Sequence, residues 1–285
     1  MGIVVISYYV LDPAGKGIAS RIAELMKCEH IADAWSLGLE GLREALMCKD
    51  RDIVMLGFEL DVIELEVLEK LSGIAKYMVV ISRHSAKSGK PSLTTHTPGN
   101  PWGRNDAGGK PWEIPPSNPG LMWYTLKELQ RFSIEYALKD YEVCYEVTHH
   151  GPTSVSKPIT FVELGSNESE WTDSNAHNVV ALALLSAIDR TTNEKPNCIT
   201  TVGFGGTHYA PLFTKRAFEE NECYGHMVPN YVIKELSLDE LRIVAGKVMD
   251  LTPNCQRVVI EKMRKEIRNV IEDEASKRGL EVVRC

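Results

Sequence analysis

No run in this chain approaches the roughly 18 consecutive apolar residues of a membrane-crossing helix. The apolar start MGIVVISYYV has no basic flank and breaks at LDPAGKG, so it reads as a buried first strand and not as a secretion signal. No CxxC pair occurs among Cys28, Cys48, Cys144, Cys198, Cys223, Cys255 and Cys285, and one cysteine would be left over from any full set of disulfides. That argues for reduced thiols in a cytoplasmic protein and against a zinc ribbon. Cys285 ends the chain, out of context for prenylation. A positive excess is missing too: 32 Lys and Arg face 39 Asp and Glu, a formal charge of -7. Any polyanionic partner must therefore be met by a local basic patch.

Several chemistry motifs are absent as well. There is no HExxH helix and no GxSxG elbow, and AGKGIAS (14–20) matches neither phosphate-loop pattern, so a glycine turn before a helix is its simpler reading. No cysteine sits in a nucleophile motif, which disfavours covalent catalysis.

What remains is an ordinary globular composition, 44% hydrophobic and 25% charged over 285 residues, enough for a large core in one α/β domain. The first 82 residues read as strand–helix–strand–helix–strand, with GIVVISYYV, DIVMLGFEL (52–60) and YMVVIS (77–82) as buried strands and 16–28 and 62–71 as helices. Such alternation predicts a parallel or mixed sheet covered by helices, with sites at the strands' C-terminal ends. Residues 83–120 are rich in Gly, Pro, Ser, Thr and Asn and read as a long functional loop. Beyond it the pattern gives a helix near 121–140, strands EVCYEVTHH and PITFVELGS, a buried helix from a cap at Thr172, Asp173 or Ser174, and strand NCITTVGFGG. A short helix near 214–221, a Ser237/Glu240 capping box, a charged helix over about 255–278 and the strand LEVVRC complete the chain.

Polar chemistry collects at four places: SRHSAKSGKPSLTTHTPGNP with His84 and His96, THHGPT with His149 and His150, FVELGS with Glu163, and GFGGTHYAP with His208. Six of the eight histidines lie in these clusters or just beyond, at His226. Each has a plain reading beside the functional one. His84 ends a buried strand, as a hydrogen-bonded core residue or a catalytic one; His96 sits among loop threonines; His149 and His150 point to opposite faces if their strand persists, so one of them packs. His208 follows glycines that leave backbone room for a ligand. His30 reads as surface and His177 as helix packing. Histidines converging with Glu163 suit zinc, and they equally suit metal-free hydrolysis in which a histidine orients water. Arg83, Lys87, Lys90, Arg104 and Lys110, interleaved with Trp102 and Trp112, either grip phosphates and stack a base or form a solvated loop anchored by its tryptophans.

Together SRHSAKSGKPSLTTHTPGN, VTHHGPT, FVELGS and GFGGTHYAP, in that order, resemble the archaeal and plant type of D-aminoacyl-tRNA deacylase, and the similarity runs over essentially the whole chain. The resemblance implies a cytoplasmic hydrolase that cleaves the ester between a D-amino acid and the terminal ribose of tRNA. It implies zinc dependence and an α/β core similar to peptidyl-tRNA hydrolases and phosphorylase/hydrolase-like folds, in one unit over residues 1–285 with the 83–120 loop as elaboration. The expected catalytic set is His84, His96, His149, His150 and His208; His150, Glu163 and His208 are candidate metal ligands; Arg83, Lys87, Lys90 and Arg104 are candidate contacts to the tRNA acceptor end. The expected partner is tRNA, not DNA or membrane, and the expected state a monomer. Rejection of L-aminoacyl esters would come from the Gly-Pro walls at Gly99 and Gly151. Two other classes fit the same residues: a zinc amidohydrolase or aminopeptidase-like enzyme on small substrates, and a non-catalytic RNA-binding module.

Overall fold

The computed structural model describes residues 2–86 and 89–285. The chain opens with β1 (Ile3–Tyr9), α1 (Pro13–Met26), β2 (Glu29–His30), β3 (Leu42–Cys48), β4 (Ile53–Phe58), β5 (Ala75–Ser85) and β6 (Ser92–His96). Then come α2 (Pro119–Glu135), β7 (Glu142–Tyr145), β8 (Ile159–Ser166), α3 (Glu168–Trp171) and α4 (Ser174–Asn193). The last third is β9 (Ile199–Phe204), α5 (Pro211–Glu219), β10 (Glu222–Val228), α6 (Asn230–Ile233), α7 (Leu238–Asp250), β11 (Arg257–Ile260), α8 (Lys265–Lys277) and β12 (Glu281–Arg284).

Eight strands form one mixed sheet in the order β2-β3-β4-β1-β5-β8-β6-β7, as the sequence class predicts. The central β4-β1-β5-β8 block is parallel, while β3 and β6 run antiparallel to their neighbours β4 and β8. Period-two alternation assigns each face. Tyr77, Val79 and Ile81 of β5 and Val162 and Leu164 of β8 pack under the helices, in one core with α1, α2 and α4. Met78 and Val80 of β5 and Ile159 and Phe161 of β8 face the other way, into a second core that has no α-helix over it.

That second core is covered by residues 62–71, and here the predicted helix fails. Val62, Leu65, Leu68 and Leu71 are its buried residues, spaced by three, and the backbone forms two 3-10 segments, Val62–Glu64 and Glu66–Leu71. A period of three matches three residues per turn. The long loop also needs correction. Residues 92–96 form β6, inside the sheet, and residues 94–100 are buried throughout. The β-branched threonines carried a strand that the polar composition disguised. The sequence reading also passed over β3, and merged β11 into the helix after it.

A smaller, wholly parallel sheet has the order β10-β9-β11-β12. α7 and α8 cover one face, while Tyr224, Met227 and Val259 join the core beneath α2 and α5 on the other, so α2 lies between the two sheets. Local signals do place the helix starts. Asp12 caps α1 with Pro13 in its first turn, Asp173 caps α4, and Ser237 with Glu240 forms the expected capping box. The expectation of reduced thiols does not hold for four cysteines: Cys28–Cys48 and Cys198–Cys223 are disulfides, while Cys144, Cys255 and Cys285 are free. Strand pairing makes both bonds, since β2 against β3 brings Cys28 opposite Cys48 and β9 against β10 brings Cys223 beside the start of β9. Sequence separations of 20 and 25 residues do not reveal that pairing.

The small sheet is locked by a buried carboxylate. Glu222 is fully buried and accepts hydrogen bonds from Arg216 Nη2 at 2.6 Å and Arg257 Nη1 at 2.8 Å, with Tyr224 OH donating as well. It thus joins α5, β10 and β11. Replacing Glu222 by alanine strands two half-buried guanidinium groups and should cost about 3–5 kcal/mol of unfolding free energy by urea titration; a cost below about 1 kcal/mol would show that the network is not structural.

Candidate active site

The candidate site begins where the second core gives out. Along β5 the inward face runs Met78, Val80, Ser82, His84, and along β8 it runs Ile159, Phe161, Glu163, with Ser82 paired to Glu163 in the sheet. On β6, Thr94 lies beside Glu163 and His96 beside Phe161. The apolar face therefore turns polar in mid-sheet. The site lies where this face reaches the C-terminal ends of the strands, as the fold class suggested: His84 closes β5, His96 closes β6, Glu146 follows β7 and His208 follows β9.

Two loops complete it. After β7 the chain stays pinned to the sheet, with Glu146 N–H donating to Thr95 O, and delivers Glu146, His149 and His150. After β9, Gly205 and Gly206 lead to His208. Both glycines have positive φ (136° and 80°), and a Cβ on Gly205 would lie 2.3 Å from the Glu261 Cβ. The room at Gly205 is filled by Glu261, while a Cβ on Gly206 would meet nothing closer than 3.8 Å. Gly99 and Gly151 are likewise packing positions: their Cβ atoms would meet Ile114 and Thr148, and the Ile63 and Gly109 backbone. A larger side chain at either position would have to displace these neighbours.

All five candidate histidines come together with Glu163. The residue that the sequence reading missed is Glu146, fully buried at the centre of the group. Its one signal was a lone carboxylate in the apolar run VCYEV. His208 Nε2 is 2.9 Å from its Oε2, His84 Nδ1 3.3 Å from its Oε1 and His149 Nε2 3.6 Å from its Oε2, yet neither oxygen accepts a hydrogen bond. Glu163 is better satisfied, accepting from Ser82 Oγ at 2.8 Å and pairing with His84 Nδ1 at 3.1 Å.

The imidazoles differ in kind. His84 has both nitrogens engaged, Nδ1 by Glu163 and Nε2 by Tyr209 OH at 3.0 Å. Burial disfavours its charged form, but the Glu163 hydrogen bond and the fields of Glu146 and Glu163 prevail and raise its pKa to about 8. His149 Nδ1 meets Val147 O at 2.8 Å and His150 Nδ1 meets Gly151 O at 2.6 Å. A carbonyl can only accept, so each Nδ1 carries the proton and each Nε2 presents a lone pair. Burial and neighbouring histidines keep both neutral, with His150 lowered to about 4 and His149 held well below the ordinary value. Those Nε2 atoms face Glu146 and Glu163 at 3.6 and 3.9 Å. Lone pair against carboxylate is repulsive unless a cation lies between. His96, fully buried, has no hydrogen bond at either nitrogen. Burial and the Glu163 charge oppose ionisation of Glu146, but His208, His96 and His84 outweigh them and hold it below the usual carboxylate range; Glu163 is held well below it by His84 and His96 despite its own burial.

Three sets of possible ligand atoms each lie within 4.8 Å of one another: His96, His149 and His150; His84, Glu146 and His208; and His96, Glu146 and Glu163. The candidate ligands His150, Glu163 and His208 fall one in each set, linked by Glu146 and His96. Buried carboxylate oxygens and imidazole nitrogens without hydrogen bonds, beside imidazoles whose Nδ1–H is tied to a carbonyl, are donors that could hold a divalent cation. A cavity of about 370 Å³ opens onto it, bounded by Tyr9, Val62, Ile63, Arg83 and Ala107.

Of the proposed nucleic-acid contacts, Arg83 borders the cavity, while Lys90 and Arg104 are not among its lining residues. Arg83 is exposed and lies over the Trp171 ring at 5.3 Å; Lys90 pairs with Glu142; Arg104 pairs with Glu235 at 2.9 Å and lies over Trp102. Lys87 falls outside the described residues. Trp102 packs on Tyr231, the anchoring role among the two readings of that loop. His30 is exposed, and His177 bonds the Trp171 carbonyl, as expected of both. His226 is fully buried beneath Thr148, outside the cluster.

Residues 72–283 match the family model for D-aminoacyl-tRNA deacylase. Curated relatives bearing that name include one from Desulfurococcus amylolyticus, 35% identical over 96% of this chain and 96% of its own. Another, from Aeropyrum pernix, is 34% identical over 97% and 98%. Among solved structures, that of a conserved protein of unknown function superposes with a TM-score of 0.87 at 27% identity, covering 99% of this chain and 95% of the other.

His226 sets an acid limit on the fold. Burial lowers its pKa to about 3, against an ordinary 6.5. The unfolded chain takes up the proton first, so its contribution is fully present above pH 6.5 and is lost as the pH falls toward 3. That contribution is up to about 5 kcal/mol. Urea unfolding of His226→Phe between pH 7 and 4 should show a shallower acid decline than the native protein; parallel declines would contradict this.

Proposed function

The chain belongs to the D-aminoacyl-tRNA deacylase family, and from that premise we propose how its own residues hydrolyse the ester between a D-amino acid and the terminal ribose of tRNA. The observation that carries the reading is the orphaned, fully buried Glu146 among neutral, Nε2-facing imidazoles.

His149, His150, Glu146 and Glu163, with His96, are the residues that would hold zinc. When bound, zinc supplies a water that ionises near neutral pH and a positive charge beside the scissile carbonyl. The chain's residues do the rest. Val147 O and Gly151 O fix the tautomers of His149 and His150. Ser82 and His84 hold Glu163 in place, and Tyr209 in turn fixes the His84 ring, so His84 is read as a positioning residue and not as a ligand. His208, the most exposed of the five imidazoles and 2.9 Å from Glu146, stands at the mouth to move a proton. Water adds to the ester carbonyl carbon, the bond from that carbon to the ribose oxygen breaks, and the proton leaving the water is returned to the ribose oxygen, giving free D-amino acid and tRNA. Rejection of an L side chain is assigned to steric clash with the cavity walls, which include Val62, Ile63 and Ala107.

Residues 1–285 are taken to act as one unit, as a monomer in the cytoplasm; among the described residues no helix is long and apolar enough to cross a membrane. Single-turnover release of tyrosine from D-Tyr-tRNA and L-Tyr-tRNA tests the reading. Release should be D-only, lost after chelation and restored by zinc, and His208→Ala should slow it about 10²–10⁴-fold. Release that survives chelation would remove the metal, and release of both enantiomers or neither would remove the reading.

A further inference from the structure

The small sheet has a crest of its own. β9, β10 and β11 are parallel and end at Phe204, Val228 and Ile260, so the chain leaves all three on one side. The loops there are tied by one side chain. Glu261 Oε2 accepts from Gly206 N at 2.6 Å and from Asn230 Nδ2 at 2.8 Å, while Asn230 N donates to Gly206 O and Gly205 N to Val228 O. Beside this knot lies a cleft of about 780 Å³, floored by Ile233, Leu236, Met263 and Ile267.

Its rim is cationic. Lys234, Lys262 and Arg264 are exposed, and among the described residues none has a carboxylate within ion-pair distance, with Glu266 the one carboxylate lining the cleft. The contrast with the next hollow is direct. There Arg242 and Arg278 are committed to Glu274 and Asp250. In a chain of net charge -7, this rim gathers three such cations around an apolar floor. They meet the two demands of a nucleic-acid strand: charge for phosphates and apolar surface for sugar and base.

Position connects this cleft to the chemistry. Gly206, bound to Glu261 at the crest, is two residues from His208 in the histidine cluster, at most about 7 Å of chain. The opposite end of the same sheet also bears a cavity with two lysines, Lys76 and Lys195, but it opens at the strands' N-terminal ends, away from His208. We infer that the crest cleft between the β10–α7 and β11–α8 connections holds the phosphate backbone of the tRNA acceptor arm, with Lys234, Lys262 and Arg264 as the contacts, while the 3′ end reaches past His208 into the catalytic cavity. The inference rests on the deacylase reading for the identity of the strand. It also moves the main grip from Arg83, at the cavity, and Lys90 to the crest of the small sheet.

The test separates the arm from the ester. Uncharged full-length tRNA is titrated against the native protein and the Lys234→Ala/Lys262→Ala/Arg264→Ala variant between 50 and about 200 mM salt. In parallel, turnover of D-tyrosyl-adenosine, an ester with no acceptor arm, is measured for both. The variant should bind tRNA at least about tenfold more weakly, and its plot of log K against log salt should be shallower by about 2–3, near one per lost phosphate contact. Turnover of the short ester should be unchanged. A control variant, Lys76→Ala/Lys195→Ala, should leave the salt slope alone. An unchanged slope in the triple variant, or an equal loss in the control, would overturn the surface. Hydrolysis of neither D-Tyr-tRNA nor the short ester by the native protein would instead count against the deacylase reading, with the slopes still deciding where tRNA binds.

Discussion

Two buried carboxylates govern this structure. Glu146 and Glu163 lie in the interior with exposures of 0 and 5%, close enough to share ligand range with His96. Each such ion removed from water costs several kcal/mol, and like charges add to that cost. The protein answers with a ring of five imidazoles, of which only His84 has both nitrogens committed to protein hydrogen bonds. The others leave nitrogens aimed inward at anions. His84, its pKa raised to about 8, answers part of that charge, and the free Nε2 lone pairs of His149 and His150 beside the carboxylates leave a place that suits a metal cation.

The fold serves that centre by leaving one sheet face without helices. α1, α2 and α4 crowd the opposite face, and 3-10 segments cover the near one only as far as Val80 and Phe161. The next pair along the strands, Ser82 and Glu163, is therefore free to be polar. The remaining residues of the cluster come from two loops held at their roots. The β7 loop is pinned through Thr95 and capped by Glu66, which accepts from the backbone N–H groups of Thr153 and Ser154 at 2.8 Å. The β9 loop is pinned at Glu261. A rigid support outside the ligand ring is what sets its geometry.

Much of this was legible in the sequence, for identifiable reasons. Buried parallel strands such as Ile53–Phe58 are continuous apolar runs, and caps such as Asp12-Pro13 and Ser237-Glu240 announce their helices. The histidines were legible because imidazoles at strand ends are poor packing material. Glu146 was not, because nothing local separates a buried carboxylate in VCYEV from a strand-edge one; only the loop's return across β6 buries it. β6 was hidden by threonines, which look like loop and pair like strand. The 3-10 cover was hidden by apolar residues three apart, which also suit an α-helix. The crest of the small sheet was invisible, since β11 was absorbed into a charged helix and its cations were thereby spread over a solvated surface.

Calorimetric titration of zinc into chelator-stripped protein tests the central claim, that Glu146 and its imidazoles form a cation centre. The account predicts saturable binding in the native protein that is lost in Glu146→Gln, with the fold of both unchanged by circular dichroism. Equal binding by the two, or none by the native protein, would contradict it.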